Sequence, residues 1–320
     1  VAVPVILDCD PGHDDALAIL LAAANEAVDL LGITTVAGNQ TLERTTLNAR
    51  RICSVAGITG VPIAAGRDRP LRGELLVAAE VHGESGLDGP SFGEPTVPLD
   101  PRGALELTRD LLRANGKPVT IIATGPLTNL ATLLLAYPEL SVHIGRIVLM
   151  GGSTGRGNMA PLAEFNVLVD PEAADVVFRS GLPITMCGLD VTHQALATEQ
   201  VCGRIAALGT PLARLCVQLL TFFAGTYREL WGFSAPPLHD PVAVAAVIDP
   251  SVIATVRAPV AVELTGTHTR GATVVDLDGR TGAPPNAEVA IGLDVDRFWD
   301  LVVAAIAASA VPGGSRRGTP

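Results

Sequence analysis

Short runs of branched apolar residues alternate along the chain with longer stretches whose apolar positions recur at helical spacing. Val3 to Leu7 predicts a buried strand, and Asp14 to Ala24 a helix behind it. Leu31 to Val36 repeats the strand pattern and Leu42 to Ala56 the helical one. Further strands are expected at Val61 to Ala65, Val119 to Thr124, Ile147 to Met150 and Ile184 to Cys187. Between them, Ala104 to Ala114, Leu127 to Ala136 and Pro171 to Arg179 read as helices. This alternation implies an α/β fold, an open and mostly parallel sheet with helices on both faces. The strands are apolar without interruption, which fits burial on both sides.

Past Cys187 the pattern changes. Thr198 to Leu230 reads as a helical insertion ended by Pro236-Pro237. Pro241 to Ile248 reads as another helix, with proline at a tolerated first-turn position. Val256 to Leu264 and Ala272 to Leu277 read as a late hairpin, and Asp296 to Ala308 as a terminal helix. No internal repeat and no break in composition divides the chain. Residues 1–312 therefore read as a single domain, and 313–320, rich in Gly, Pro and Arg, as a flexible tail.

Composition then removes several classes of function. The 320 residues are 48% hydrophobic with a mean hydropathy of +0.40, which argues against disorder. Apolar runs such as Ala16 to Ala24 stop well short of the ~20 residues of a membrane span. Aromatics are only 3% and the formal net charge is −11, which argues against nucleic-acid partners. Cys9, Cys53, Cys187, Cys202 and Cys216 are odd in number, scattered, and form no CxxC pair. That usage suits reduced thiols in a cytoplasm rather than a disulfide framework or a zinc site. VAVPVILDCD at the start has no basic segment ahead of an apolar run, so no secretory signal is read there.

The chemistry concentrates just past the first strand. Asp8-Cys9-Asp10-Pro11-Gly12-His13-Asp14-Asp15 carries four carboxylates in eight residues. Ligands of open α/β sheets bind in the crevice at the carboxyl ends of the strands. Carboxylates this close repel one another unless a cation compensates them. Hard oxygen donors without a cysteine pair favour calcium or magnesium over zinc. Negative charge at a helix start is favourable in any protein, but that covers only Asp14 and Asp15.

Further blocks follow in order: Ala37-Gly38-Asn39-Gln40-Thr41, His82-Gly83-Glu84-Ser85-Gly86-Leu87-Asp88-Gly89 and Thr124-Gly125-Pro126-Leu127-Thr128-Asn129-Leu130. Met150-Gly151-Gly152 comes next, with Asn158 and Ala163-Glu164-Phe165-Asn166, and then His239-Asp240-Pro241. Together with the aspartate segment, these blocks resemble the signature of the nucleoside hydrolases, the inosine-uridine preferring family, from Asp8 to Pro241. The resemblance implies a Rossmann-like core and hydrolysis of the N-glycosidic bond of ribonucleosides, with inosine, uridine or pyrimidine nucleosides favoured. It also implies a calcium ion held by Asp10, Asp15, Asp240 and the Thr124 carbonyl, and a homo-oligomer, dimer or tetramer.

Such a reaction passes through an oxocarbenium-like sugar and needs an activated water, an anchor for the ribose and help for the leaving base. By the resemblance, Asp10 is the general base. Asp14, Asn39, Asn158, Glu164 and Asn166 hold the sugar, with Met150 and Phe165 beside them, and Glu164, Phe165 and Asn166 are expected on a loop after the strand Ile147 to Met150. His239 and His82 are the candidates at the base, because imidazole titrates near neutral pH. His82 is expected on a glycine-rich loop over the base, and Tyr227 and Trp231 are expected to cover its face. Asp8 reads as support behind the ligands, and His13 as a position where the family tolerates a histidine or an apolar residue.

Two competing readings remain at this level. Asp8-x-Asp10 after a first strand is shared by haloacid-dehalogenase phosphatases that use magnesium, but Gly12 stands where those carry Thr or Val, and the Asp14-Asp15 pair has no role there. A non-catalytic nucleoside- or ribose-binding protein is compatible with the architecture. It leaves the acid cluster unexplained.

Overall fold

The structure is a computed structural model that describes residues 1–309. The expected tail, 313–320, lies outside the described residues. Strand β1 (Val3–Cys9) runs into helix α1 (His13–Ala24), and β2 (Val28–Thr35) into α2 (Leu42–Val55). A short β3 (Ile63–Ala65) is followed by α3 (Ala79–His82) and α4 (Ala104–Ala114). Then come β4 (Val119–Ala123), α5 (Thr128–Ala136), β5 (Ile144–Met150), α6 (Phe165–Val169), α7 (Pro171–Phe178) and β6 (Ile184–Cys187). Apart from α3 and α6, which the sequence pattern did not mark, these elements follow it to within a few residues at each end.

The strand order is β3-β2-β1-β4-β5-β6, all parallel. The chain therefore winds outward from β1 in one direction, then returns to β4 and winds outward in the other. The reversal lies between β1 and β4. The two strands stay paired to their carboxyl ends, but the chain leaves them for opposite faces, α1 for one and α5 for the other, and this opens the crevice where such folds bind ligands.

The second half holds the departures. α8 (Leu189–Thr192) precedes two helices, α9 (Glu199–Ala206) and α10 (Pro211–Trp231), where one continuous insertion was expected. Gly209, at φ +68, and Thr210, whose side chain accepts from the Ala213 N–H, break the run. α10 stops at Gly232, left-handed at φ +71, before the prolines are reached. After α11 (Asp240–Ile248), Pro259 divides the expected long strand into β7 (Ile253–Ala258) and β8 (Val260–Val262). β8 pairs with β9 (Thr273–Val275) as the antiparallel hairpin. β10 (Ala287–Leu293) has no counterpart in the sequence reading, yet it joins the main sheet. It lies parallel to β6 and antiparallel to β7, which makes eight strands in all, and α12 (Val295–Ser309) closes the described chain.

Strand alternation sorts the core into two layers. Val5, Leu7 and Cys9 face α1, α2, α10, α11 and α12. Ile6, Ile121, Ile147 and Leu149 face α4, α5 and α7. α1 is apolar nearly all round, from Ala16 to Ala22, because it is covered by neighbours on every side. Among the described residues no helix is long and apolar enough to cross a membrane.

Candidate active site

At the carboxyl end of β1 the chain turns into α1 through Asp10, Pro11 and Gly12. Asp15 closes the turn, its Oδ2 accepting from the Gly12 N–H at 3.0 Å, so it caps the helix with an oxygen to spare. Thr124, just past β4, donates its hydroxyl to Asp15 Oδ1 at 2.8 Å. Asn39, just past β2, donates its backbone N–H to Asp10 Oδ2 at 2.7 Å and its side-chain amide to Asp15 Oδ2 at 3.2 Å. Asp240 arrives from the first turn of α11. Asp14, Asp15 and Asp240 each bring one carboxylate oxygen within 4.8 Å of the others. Two glycines make room for Asp10: a Cβ on Gly38 or Gly125 would stand 2.2 or 2.6 Å from its carboxylate oxygens.

These four acids are buried, and no lysine or arginine pairs with them among the described residues. Asp10 Oδ1 is enclosed without a hydrogen-bond partner. Burial, then repulsion from its acidic neighbours, pushes the carboxyls of Asp10 and Asp240 well above the ordinary range, and that of Asp14 up to about 7. Asp15 is raised by burial too, against the donors around it. An enclosed set of oxygen donors with an orphaned oxygen and no counter-charge fits a hard divalent cation. Asp8 stands behind: its Oδ1 accepts from Thr34 and from Asn129, tying β1 to β2 and α5.

The next wall comes from the segment after β5. Glu164 was expected on a loop with Phe165 and Asn166; instead it caps α6, and the other two open that helix. Its carboxylate accepts from the N–H groups of Gly152, Asn166 and Val167. Burial nevertheless pushes its carboxyl up to about 7. Asn166 donates its amide to the Thr124 carbonyl at 2.8 Å and to the Met150 carbonyl at 3.2 Å. Asn158 accepts from the Phe165 N–H and, through its carbonyl, from the Trp231 indole.

The far wall is aromatic. Phe223, Tyr227 and Trp231 recur at every fourth residue of α10 and so share one face. His239 lies against it with both ring nitrogens engaged, Nε2 with the Tyr227 hydroxyl at 2.7 Å and Nδ1 with the Thr192 hydroxyl at 2.8 Å. Burial keeps His239 neutral, its pKa down to about 3, and holds the Tyr227 phenol well above its usual value. His82 is the buried last residue of α3, not a loop residue, and packs on Phe223.

All these walls converge on one cavity of about 40 Å³, lined by Asp14, Asn39, His82, Thr124, Met150, Asn158, Glu164, Phe165, Asn166, Tyr227, Trp231, His239 and Asp240. Asp10 and Asp15 lie fully enclosed beneath it. Two of its borders are α3, which brings His82, and the end of α10, which brings Trp231. A larger cavity, about 180 Å³, lies under α4 and α5 with Asp8 on its wall, but its other charged residues, Arg67 and Glu106, are exposed. Titratable groups of several elements converge only on the smaller one. Thr192 and Phe223 were missed from sequence. The every-fourth spacing with Tyr227 and Trp231 pointed to Phe223, whereas nothing local marks Thr192.

The likeness to known proteins runs along most of the chain. Residues 5–300 match the family described as inosine-uridine preferring nucleoside hydrolase. The pyrimidine-specific ribonucleoside hydrolase RihA of Shewanella woodyi is 49% identical over 300 residues, covering 93% of this chain and 96% of that protein. RihA of Escherichia coli is 48% identical over 302 residues, with 94% and 97% covered. Among solved structures, a purine-preferring ribonucleoside hydrolase from Gardnerella vaginalis superposes with a TM-score of 0.89 at 34% identity, covering 96% of this chain and 99% of that one. A plant nucleoside hydrolase gives 0.88 at 31% identity, with the same coverage.

Proposed function

The chain belongs to the inosine-uridine preferring nucleoside hydrolase family and hydrolyses ribonucleosides; from that premise we propose that it prefers pyrimidine ribonucleosides and works with a calcium ion. The observation that carries this reading is the polarity of the cavity. Clustered carboxylates, with the bare Asp10 Oδ1 beneath them, lie at one end, and a hydroxyl backed by a histidine lies at the other. Asp10, Asp15, Asp240 and the Thr124 carbonyl would hold the ion. Calcium there supplies charge that polarises water and the ribose hydroxyls.

Asp10 takes the proton of the attacking water on Oδ1, the oxygen that no protein donor occupies. Asp14, Asn39, Asn158, Glu164 and Asn166 bind the ribose, and Met150 and Phe165 pack beside it. At the other end, Tyr227 stays protonated and donates to the departing base. His239, saturated on both nitrogens, acts behind the phenol and not on the base directly. His82 and Trp231 meet the base from its sides. Pyrimidine preference is supported by the names of the 48–49% identical relatives.

The test is ribose release from uridine, cytidine, inosine, adenosine and guanosine by metal-free and calcium-loaded protein. Uridine and cytidine are expected to lead in kcat/KM, with activity lost on chelation and restored by calcium. Faster purine turnover overturns the specificity, and full activity without metal overturns the ion. Leu135 and Val142, apolar and exposed near the end of α5, support a homo-oligomer, which sedimentation velocity of the pure protein tests. Five free cysteines support a reducing compartment such as the cytoplasm.

A further inference from the structure

His13 lies inside the acidic segment, yet the reaction above gives it no task. Its ring is buried and nearly parallel to Phe222 and Phe223, at centroid distances of 5.1 and 5.3 Å. Its Nε2 is 2.8 Å from the backbone carbonyl of Asp88. A carbonyl only accepts, so Nε2 carries the proton. An uncharged imidazole has one N–H, so Nδ1 of His13 is a bare lone pair. Nδ1 of His82 faces it at 3.1 Å. Two lone pairs at that distance repel, so the proton between the rings belongs to His82.

The geometry points to His13 as a specificity-determining residue: it holds His82 in the Nδ1–H tautomer, leaving Nε2 of His82 as a hydrogen-bond acceptor for an N–H on the edge of the base. This rests on the hydrolase reading above and deepens it. His82 lines the cavity, and its Nε2 has no hydrogen-bond partner within the described residues. The N3–H of uracil and the amino group of cytosine are donors of the required kind. The His13 backbone N–H also points at His82 Nδ1, at the longer distance of 3.3 Å. Were that contact to govern, His13 would present a lone pair to the Asp88 carbonyl or carry a full charge while wholly buried with no carboxylate hydrogen-bonded to its ring, and both are costly. An acceptor gives no proton to a leaving group. His13 and His82 therefore act in binding, while Tyr227 and His239 act on departure.

The test is a long-range 1H–15N spectrum of the calcium-loaded full chain labelled at its six histidines, assigned with His13→Phe and His82→Gln. His13 is expected as the Nε2–H form and His82 as the Nδ1–H form; His82 as the Nε2–H form, or a doubly protonated His13, overturns the proposal. Kinetics give a second readout. His13→Phe keeps the ring stack and removes the bond. It should raise KM for uridine about tenfold, the worth of one hydrogen bond, with kcat changed far less. The preference for uridine over 3-methyluridine, which lacks the N–H, should fall by a similar factor. An unchanged preference refutes the assignment. If His13→Phe does not fold, the wild-type spectrum decides alone. If no nucleoside is cleaved at all, the hydrolase reading fails, whereas the tautomers are still read without substrate.

Discussion

At the scale of single residues, the site divides into groups that are tied down and groups that are left free. Asp15 has donors on both oxygens, whereas Asp10 keeps one oxygen bare in an enclosed space. That asymmetry assigns positioning to Asp15 and proton transfer to Asp10. Asp10→Asn keeps the shape and the acceptor for the Asn39 N–H but cannot take a proton. It should lower kcat by about 10²–10⁴-fold while the chelated protein melts no lower than the wild type, which steady-state kinetics and thermal unfolding check together. The base end makes a second prediction. Because both nitrogens of His239 are engaged by hydroxyls, the phenol and the imidazole act as one unit. Tyr227→Phe and His239→Ala should each cost kcat by similar factors, and the double variant little more than either. Both deficits should shrink on a nitrophenyl riboside, whose leaving group needs no proton. Additive losses in the double variant would mean that the two residues work separately.

At the scale of elements, the parallel half of the sheet was legible because its strands are continuous apolar runs, each followed by a helix with a distinct period. β10 was not. Ala287 to Leu293 includes Glu288 and Gly292, and it pairs with partners about 100 and 30 residues away, so no local signal marks it. The aspartate cluster was legible for the opposite reason: Asp10, Asp14 and Asp15 are neighbours in sequence, and only Asp240 had to be brought in. The loop expected around Glu164 became a helix start because its carboxylate caps the N–H groups of Asn166 and Val167, a contact visible only once the backbone turns. α10 bears the element-scale prediction. Trp231 ends it, half-buried at the cavity with its indole N–H on the Asn158 carbonyl, while the only other tryptophan, Trp299, lies deep in the core layer that α12 shares with α1 and α11. A ligand in the cavity therefore touches the first and not the second. Ribose or an unreactive nucleoside analogue should change the tryptophan emission of the wild type. Trp231→Phe should abolish that change while leaving the Trp299 signal, and a persisting change would place the ligand elsewhere.

At the scale of the whole molecule, the winding of the sheet gathers acids from the turn after β1, from α1, from the cap of α6 and from α11 into one crevice, with Asp8 buried behind it, and the fold bears the electrostatic cost. Burial raises Asp8 to about 6 and Asp14 and Glu164 to about 7, from ordinary values of 3.8, 3.8 and 4.5. An acid whose folded pKa is raised binds its proton more tightly in the native state. Its contribution to stability is complete below the unfolded pKa and is lost as pH rises through the folded one, here between about pH 4 and pH 7. A tenfold gain in proton affinity on folding is worth about 1.4 kcal/mol, so the combined loss is on the order of 10 kcal/mol as an upper bound. A cation selects the ionised carboxylates and opposes that trend. At a concentration about 100 times its dissociation constant it adds about 2.7 kcal/mol. Chelated protein should therefore melt several degrees lower at about pH 7.5 than at about pH 5, and calcium should flatten or reverse the slope, acting most strongly at the higher pH. Thermal unfolding across that range with and without the ion checks both signs. A chelated protein that grows more stable toward pH 7.5, and to which calcium adds nothing, would show that the crevice neither stores this repulsion nor uses a metal to relieve it.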